Sequence, residues 1–238
     1  MAHDPHTKSP CLSVIGLSKK YGRHPVFSNL SFSVLPGQIV GIAGANGSGK
    51  STLLSILAGA LRLDAGQIFF EADSPITHPK LFSTFVGYVP QDNPLMQDLT
   101  VQDNLTLWYS SKKALQLALH QGLLAEFQLD TMLKKPVRTL SGGMKKRVSL
   151  ACALASTPKL LLLDEPCAAL DLVAKADILH YLDRFRADGG TVLLITHDLE
   201  EIKVCDRLLY LDANGLTELD PEQAVSGLLL DRMRDANA

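Results

Sequence analysis

The chain has 238 residues, of which 46% are hydrophobic and 20% charged, values typical of a globular protein with a buried core. Its formal net charge of −2 argues against a protein that binds nucleic acid without sequence specificity, because such proteins are basic. The four cysteines form no CxxC pair and no metal-ligand spacing, which predicts buried thiols in a reducing compartment. No apolar run approaches the roughly 18 residues that span a bilayer, so we expect a separate chain to supply any membrane-spanning part.

The first segments of the chain predict a tail followed by a β layer. Residues 1–11 are mostly polar, contain two prolines and lack the apolar segment of a signal peptide, so we expect a mobile N-terminal tail. Three short segments rich in β-branched or aromatic residues lie at 12–17, 26–34 and 67–71. Each is bounded by Gly, Pro or Asp, and together they predict an antiparallel β layer.

Between those segments, an apolar strand at 38–44 runs through a glycine-rich loop into a helix at 50–61. The loop sequence GANGSGKST fits the pattern G-x-x-x-x-G-K-[ST], which turns backbone N–H groups and a helix N-terminus toward phosphate oxygens. We expect Lys50 to contact the β- and γ-phosphates of a nucleotide, and Ser51 to ligate Mg²⁺. The predicted nucleotide-binding residues of the loop are Gly44, Ala45, Asn46, Gly47, Ser48, Gly49, Lys50, Ser51 and Thr52.

A change of composition after Gln91 predicts a helical insert. Residues 100–133 are rich in Leu and Gln at helical spacing. Thr100, followed three positions later by Asp103, predicts a capping box at the start of a helix. We therefore expect a helical subdomain over about 92–156.

After the insert, fully apolar strands alternate with helices, which predicts a parallel sheet covered on both faces. The fold class is therefore α/β: a P-loop NTPase with a mostly parallel central sheet, an N-terminal antiparallel β layer and a helical subdomain insert. We expect one domain over 12–219 and a short C-terminal helix over 220–238. The predicted strands lie at 160–164, 191–196 and 207–212, and the predicted helices at 141–155 and 172–187.

Two acids, Asp164 and Glu165, end the apolar strand in the motif LLLLDEP. A buried parallel strand presents its last side chains at the carboxyl edge of the sheet, where α/β proteins bind ligands. Asp164 is expected to hold Mg²⁺ directly or through water, and Glu165 to polarise an attacking water. With the phosphate loop, these acids predict an ATPase or a GTPase.

A second Ser-Gly-Gly turn, LSGG at 140–143, opens another basic helix. Ser141 has the chemistry of a helix N-cap, and the two following glycines, Gly142 and Gly143, leave the helix end accessible to an anion. One phosphate loop already encloses one side of a triphosphate. A second phosphate-binding site in the same chain therefore indicates that it binds the nucleotide of a partner chain. The alternative is an ordinary capped helix with three basic side chains in solvent, those of Lys145, Lys146 and Arg147.

Together these motifs resemble the ATP-binding subunits of ABC transporters, over about residues 12–212 and in the order found in that family. The resemblance implies that two subunits meet head to tail, with each LSGG motif closing over the ATP of the other subunit. It further implies adenine stacking by Tyr21, contact of Gln91 with Mg²⁺ and the attacking water, and γ-phosphate contact by His197. Asp171 would link the two sites across the dimer, and it is also a candidate helix N-cap.

The expected catalytic residues are Lys50, Gln91, Glu165 and His197, and the expected Mg²⁺ ligands are Ser51, Gln91 and Asp164. Two departures from the family pattern concern the dimer contacts rather than the chemistry. Met144 stands where the family most often has Gln, and Cys167-Ala168-Ala169 stands where Ser or Thr and Gly are common.

The resemblance implies an ATP-hydrolysing subunit that powers a separate transmembrane permease from the cytoplasmic face of the cell membrane, as a homodimer or a heterodimer. The stretch 93–109 and the short insert are more similar to small bacterial exporter subunits than to sugar importers. The groove beside Gln91 would receive the permease. Trp108 and Tyr109 either pack in the core, which we expect, or mark that surface.

The sequence gives less support to two other classes of function. A soluble ABC-type ATPase acting on DNA or the ribosome would be expected to carry a coiled-coil insert, a second ATPase module or a basic charge, and the sequence has none of these. A P-loop kinase would leave LSGG, Gln91 and His197 unexplained. We therefore expect no nucleic acid among the partners.

Overall fold

The structure is a computed structural model and describes residues 9–225, apart from the side chain of Leu123. The strands are β1 (Leu12–Tyr21), β2 (His24–Val34), β3 (Ile39–Ala43), β4 (Ala65–Phe70), β5 (Val86–Val89), β6 (Leu160–Asp164), β7 (Thr191–Ile195), β8 (Arg207–Asp212) and β9 (Gly215–Leu219). The helices are α1 (Lys50–Leu57), α2 (Leu81–Thr84), α3 (Val101–Thr106), α4 (Lys112–His120), α5 (Gly142–Ala153), α6 (Leu172–Ala187), α7 (Leu199–Lys203) and α8 (Pro221–Gln223). None of these helices is long and apolar enough to cross a membrane.

The predicted β layer is confirmed as a three-stranded antiparallel sheet in the order β2-β1-β4. The sheet begins at Leu12, as predicted, and the preceding Cys11 is already buried, with its N–H donating to Val34 O at 2.8 Å. Cys11 therefore does not belong to the tail. The rest of the predicted tail up to residue 8, and residues 226–238 of the predicted C-terminal helix, lie outside the described residues.

The second sheet is the predicted central sheet, with the order β5-β6-β7-β3-β8-β9. All its pairings are parallel except the β8–β9 hairpin, and β9 was not predicted. The bounds of β6, α6 and β8 coincide with the predicted ones. Because β6 lies between β5 and β7, the segments that follow these three strands meet at one edge of the sheet.

Both faces of the central sheet are buried, as the unbroken apolar strands predicted. Along β6, Leu160 and Leu162 pack into a cluster with α1 and the antiparallel sheet. Leu161 and Leu163 point to the opposite face and pack with α5, α6 and the insert. This alternation is the period of two of a β-strand, and it fixes the direction of the acids at the strand end.

The insert is less helical than its sequence predicted. The capping box at the start of α3 is confirmed, since Thr100 Oγ1 accepts from Asp103 N at 3.1 Å and Asp103 Oδ2 accepts from Thr100 N at 3.2 Å. Between α4 and α5, however, the chain forms short 3₁₀ segments at Gly122–Phe127, Leu129–Met132 and Val137–Thr139. Its apolar side chains join the core beside the central sheet, so a subdomain limited to 92–156 stays a prediction.

Candidate active site

The glycine-rich loop 44–52 joins β3 to the start of α1 at the carboxyl edge of the central sheet. Gly44 has φ 152°, and a Cβ there would lie 2.2 Å from Leu211 O. Gly49 has φ 99°, and its Cβ would lie 2.5 Å from Val26 Cγ1. Only glycine fits these positions. No side chain caps α1 at Gly49, so the first N–H groups of the helix can bind an anion.

Lys50 is buried at the centre of this loop. Its Nζ donates to Gly44 O at 2.7 Å and to Ala45 O at 2.8 Å. Burial lowers the pKa of the Lys50 ammonium, and the carboxylates of Glu165 and Asp164 oppose that shift. The lysine therefore lies between the loop and the two acids, where it can reach a phosphate group held by the loop.

Asp164 and Ser51 form the candidate Mg²⁺ site. Asp164 ends β6 with 3% of its surface exposed, and the Ser51 hydroxyl donates a hydrogen bond to its carboxylate. Burial raises the pKa of Asp164, and the Ser51 hydrogen bond opposes the shift. A hydroxyl and a carboxylate are oxygen ligands that Mg²⁺ accepts, so these residues fit the ion. Residues 9–225 contain no cluster of three or more His, Cys, Asp or Glu that could hold a metal, so the nucleotide and water would have to supply the remaining ligands.

Three of the predicted catalytic residues meet at one carboxylate. Glu165 Oε2 accepts a hydrogen bond from Gln91 Nε2 at 2.8 Å, and Glu165 Oε1 lies 3.3 Å from His197 Nδ1. These residues follow the ends of β5, β6 and β7, which are neighbours in the sheet. The carboxylate is therefore oriented from both sides, which is what a group that positions a water requires.

Ser141 and Gly142 are exposed at the start of α5, and Ser141 Oγ accepts from Met144 N at 3.3 Å. Ser141 is thus confirmed as the N-cap of α5. Gly143 is buried, and a Cβ there would lie 2.6 Å from Ala174 Cβ, so α5 and α6 approach closely at this point. Met144 packs against the core.

The alternative with three solvated basic side chains after Ser141 is wrong for two of them. Lys146 is buried with 3% of its surface exposed, and Arg147 pairs with Asp177 of α6. The burial of Lys146 was not predicted, because a run of Lys and Arg does not indicate which of its side chains points into the core. The basic helix is thus partly a core element.

The remaining predicted residues occupy separate places. Tyr21 ends β1 with 52% of its surface exposed, and Lys19 Nζ lies 5.5 Å from the centroid of its ring. Asp171 is confirmed as the N-cap of α6, since its Oδ1 accepts from Ala174 N at 2.8 Å. The expectation of core aromatics is wrong for Trp108, which is 59% exposed, whereas Tyr109 is partly buried and donates to Ala151 O at 3.1 Å. Adenine stacking by Tyr21 and the link through Asp171 stay predictions.

A phosphate loop after one parallel strand, with an acid pair at the end of another strand of the same sheet, defines a P-loop nucleotide-binding protein. The model of the family described as ABC transporter matches residues 27–168. The chain therefore belongs to the ABC transporter family. This confirms the family and the fold class that the motifs indicated.

Relatives and solved structures agree with this assignment. The chain is 40% identical over 211 residues to the Nod factor export ATP-binding protein I of Ralstonia nicotianae, covering 87% of this chain and 65% of that protein. It is 34% identical to a probable ABC transporter ATP-binding protein of Azorhizobium caulinodans, covering 94% of this chain and 82% of the relative. The chain thus spans less than two thirds of the first of these proteins.

Two solved structures resemble the fold closely. A nucleotide-free ATP-binding cassette from an ABC transporter is 25% identical with a TM-score of 0.81, over 93% of this chain and 96% of that one. A dimeric cassette in a post-hydrolysis state, bound to ADP and Pi, is 26% identical with a TM-score of 0.78, over 88% of this chain and 98% of that one.

Proposed function

We propose that this chain is the ATP-hydrolysing subunit of an ABC transporter and that it drives a separate transmembrane permease. The observation that carries the proposal is the contact of one carboxylate, Glu165, with both Gln91 and His197 beside the phosphate loop. Membership of the ABC transporter family supports it.

In the proposed mechanism the protein positions the reactants and neutralises charge. The loop N–H groups and Lys50 bind the phosphates, and Tyr21 stacks on the adenine. The Glu165 carboxylate accepts a hydrogen bond from the attacking water, while Gln91 and His197 keep that carboxylate in place. Ser51, Asp164 and Gln91 would hold Mg²⁺, which would supply positive charge to the phosphate oxygens.

The second part of the proposal is a head-to-tail dimer. Ser141 and Gly142 are exposed at the N-terminus of α5, which can bind an anion carried by another chain. The solved cassette bound to ADP and Pi is dimeric, which supports a dimer of this chain. Because the chain carries every motif once, either a homodimer or a heterodimer with another cassette fits.

The permease would bind from the membrane side to a groove of about 650 Å³ between the central sheet and the insert. Leu107 and Trp108 are 60% and 59% exposed, and both line this groove. Exposed large apolar side chains around a cleft are typical of a surface that a partner helix covers. The chain would then work on the cytoplasmic face of the membrane.

Export is the direction we propose, since several relatives are named as export ATP-binding proteins. The substrate would be selected by the permease, and no residue of this chain is assigned to it.

The test is hydrolysis of Mg-ATP by the purified chain, with Glu165→Gln as the variant and Glu200→Gln as the matched control on an exposed glutamate. We expect the wild type to release phosphate, Glu165→Gln to be at least about 100-fold slower, and Glu200→Gln to match the wild type. A wild type that binds no ATP, or a Glu165→Gln chain as fast as the wild type, would contradict the proposal. Stimulation of hydrolysis by the reconstituted permease would test the transport part.

A further inference from the structure

The segment after Glu165 has a backbone conformation that its residues rarely adopt. Glu165 has φ 46° and Ala169 has φ 57°, both in the left-handed region, and neither is a glycine. Such conformations persist only where the surroundings hold them. Backbone hydrogen bonds hold this segment in part, from Glu165 N to Ile195 O at 3.1 Å and from Ala168 N to Glu165 O at 3.2 Å.

The middle of this segment is tied to a side chain from another element. The N–H of Cys167 donates to Glu201 Oε1 at 2.9 Å. Glu201 lies on α7 with only 2% of its surface exposed. The N-cap of α7, Asp198, accepts from Glu201 N at 3.3 Å and pairs with Lys175 of α6, so the backbone that carries Glu201 is itself held in place.

Glu201 also reaches the residue that precedes His197. Glu201 and Thr196 line the same small cavity as Glu165 and His197. Burial raises the pKa of the Glu201 carboxyl, while the nearby Thr196 hydroxyl and Cys167 oppose the shift. Thr196 is adjacent to His197 in the chain, and Cys167 is two residues after Glu165. One buried carboxylate therefore contacts the backbone segments that carry two of the proposed catalytic side chains.

The charges around this carboxylate argue against a purely stabilising role. Glu201 Oε2 and the ammonium of Lys146 are both buried and make no hydrogen bond within the described residues. Burial lowers the pKa of the Lys146 ammonium, and the nearby charges of Asp164, Glu201 and Glu165 oppose that shift, so Lys146 belongs to the same cluster. Buried charges that are not directly paired cost free energy, and apolar residues of similar volume often stabilise a core more.

We propose that Glu201 is a positioning residue for ATP hydrolysis: its carboxylate holds the N–H of Cys167 and thereby fixes the segment that carries Glu165. The inference rests on the proposed function, because it concerns the rate of that reaction. Glu201 does not touch the substrate in this scheme. It acts through the backbone on the angle at which Glu165 meets Gln91 and His197.

Two conservative variants separate the hydrogen bond from the charge. Glu201→Asp keeps the charge but shortens the side chain by one methylene, so its carboxylate no longer reaches Cys167 N. Glu201→Gln removes the charge but keeps an oxygen at the same reach. We expect Glu201→Asp to lower kcat for ATP about 10- to 100-fold with an unchanged KM, and Glu201→Gln to retain most of kcat.

Binding of a fluorescent ATP analogue serves as the check that both variants are folded, and it should match the wild type. An unchanged kcat in Glu201→Asp would overturn the inference, and so would an equal or greater loss in Glu201→Gln. A loss expressed in KM alone would overturn it as well. A wild type that does not hydrolyse ATP would instead defeat the proposed function, so the two failures are distinguishable.

Discussion

The two helix ends that we propose as anion-binding sites, at the phosphate loop and at Ser141, differ in what surrounds them. The first contains the buried Lys50 and adjoins Ser51 and Asp164 within the same chain. The second is exposed, and the oxygen of its capping serine accepts from Met144 N in its own helix. The same helix-end chemistry thus serves a site that its own chain largely completes and a surface that another chain would complete.

The largest effect on ATP hydrolysis is expected from a substitution in the phosphate-loop site. Lys50→Ala removes the cation at the centre of the loop, so we expect ATP hydrolysis to fall at least about 100-fold and ATP binding to weaken. Lys134→Ala, at an exposed lysine of the insert, is the matched control and should match the wild type. Phosphate release and analogue binding measure both. A Lys50→Ala chain with normal turnover would contradict the assigned role of the loop.

The two glycines of the exposed site can be compared directly. Gly143→Ala places a Cβ 2.6 Å from Ala174 Cβ, and we expect the free energy of unfolding to fall by about 1–3 kcal/mol. A Cβ at Gly142 would lie 3.5 Å from Leu170 Cδ2 and 4.0 Å from Ala169 O, both ordinary contacts, so the stability of Gly142→Ala should stay within about 0.5 kcal/mol of the wild type. Urea unfolding measures both variants.

Gly142→Ala and Gly143→Ala also distinguish an effect on folding from an effect on dimer formation. Since Gly142 is exposed at the proposed dimer surface, Gly142→Ala should weaken ATP-driven association although it folds normally. Equal stability of the two variants would mean that α5 and α6 do not pack as described.

Asp164→Asn tests whether the buried carboxylate of the phosphate-loop site lowers the stability of the folded chain. Burial raises the pKa of Asp164, so its charged form destabilises the folded nucleotide-free chain. We expect Asp164→Asn to raise the melting temperature near pH 7 and to abolish hydrolysis. This gain should shrink as the pH falls through the raised pKa toward the ordinary value, because the wild-type carboxyl then becomes protonated and its penalty disappears. Thermal unfolding from pH 7 to pH 4 would measure it, and a lowered melting temperature at pH 7 would contradict it.

The smallest effect on the isolated chain is expected at the groove proposed for the permease. Trp108 is 59% exposed, so Trp108→Ala should change the unfolding free energy by no more than about 0.5 kcal/mol and leave basal hydrolysis unchanged. Stimulation by the reconstituted permease should be lost. Tyr109→Phe, which removes only the hydrogen bond to Ala151 O, is the control and should keep the stimulation.

Sequence patterns predicted the elements whose signals are local. The bounds of β6 and α6 followed from an unbroken apolar run and from a helix between Asp171 and the glycines after residue 188. The strand β9 was missed because its Gly-Leu-Thr-Glu-Leu sequence has no strong alternation. The length of helix in the insert was overestimated, since Leu-rich spacing does not reveal the left-handed Gln128 that separates two 3₁₀ segments.

The site residues that belong to sequence motifs could be predicted, whereas those whose burial depends on tertiary packing could not. Motifs placed Glu165 and His197 at the sheet edge, and the strand order brings them together. Glu201 and Lys146 could not be predicted, because their burial depends on contacts with distant parts of the chain. Glu201 lies 34 positions from Cys167, whose N–H it accepts.

The central claim, that one chain supplies most of a site and a second chain closes it, is tested most directly by the solution mass of Glu165→Gln with and without Mg-ATP. We predict a monomer without nucleotide and a dimer with ATP. Adding Ser141→Arg, which places a bulky side chain at the exposed helix end, should restore the monomer in the presence of ATP. A Glu165→Gln chain that stays monomeric while it binds ATP, or a dimer that Ser141→Arg leaves intact, would contradict the shared site.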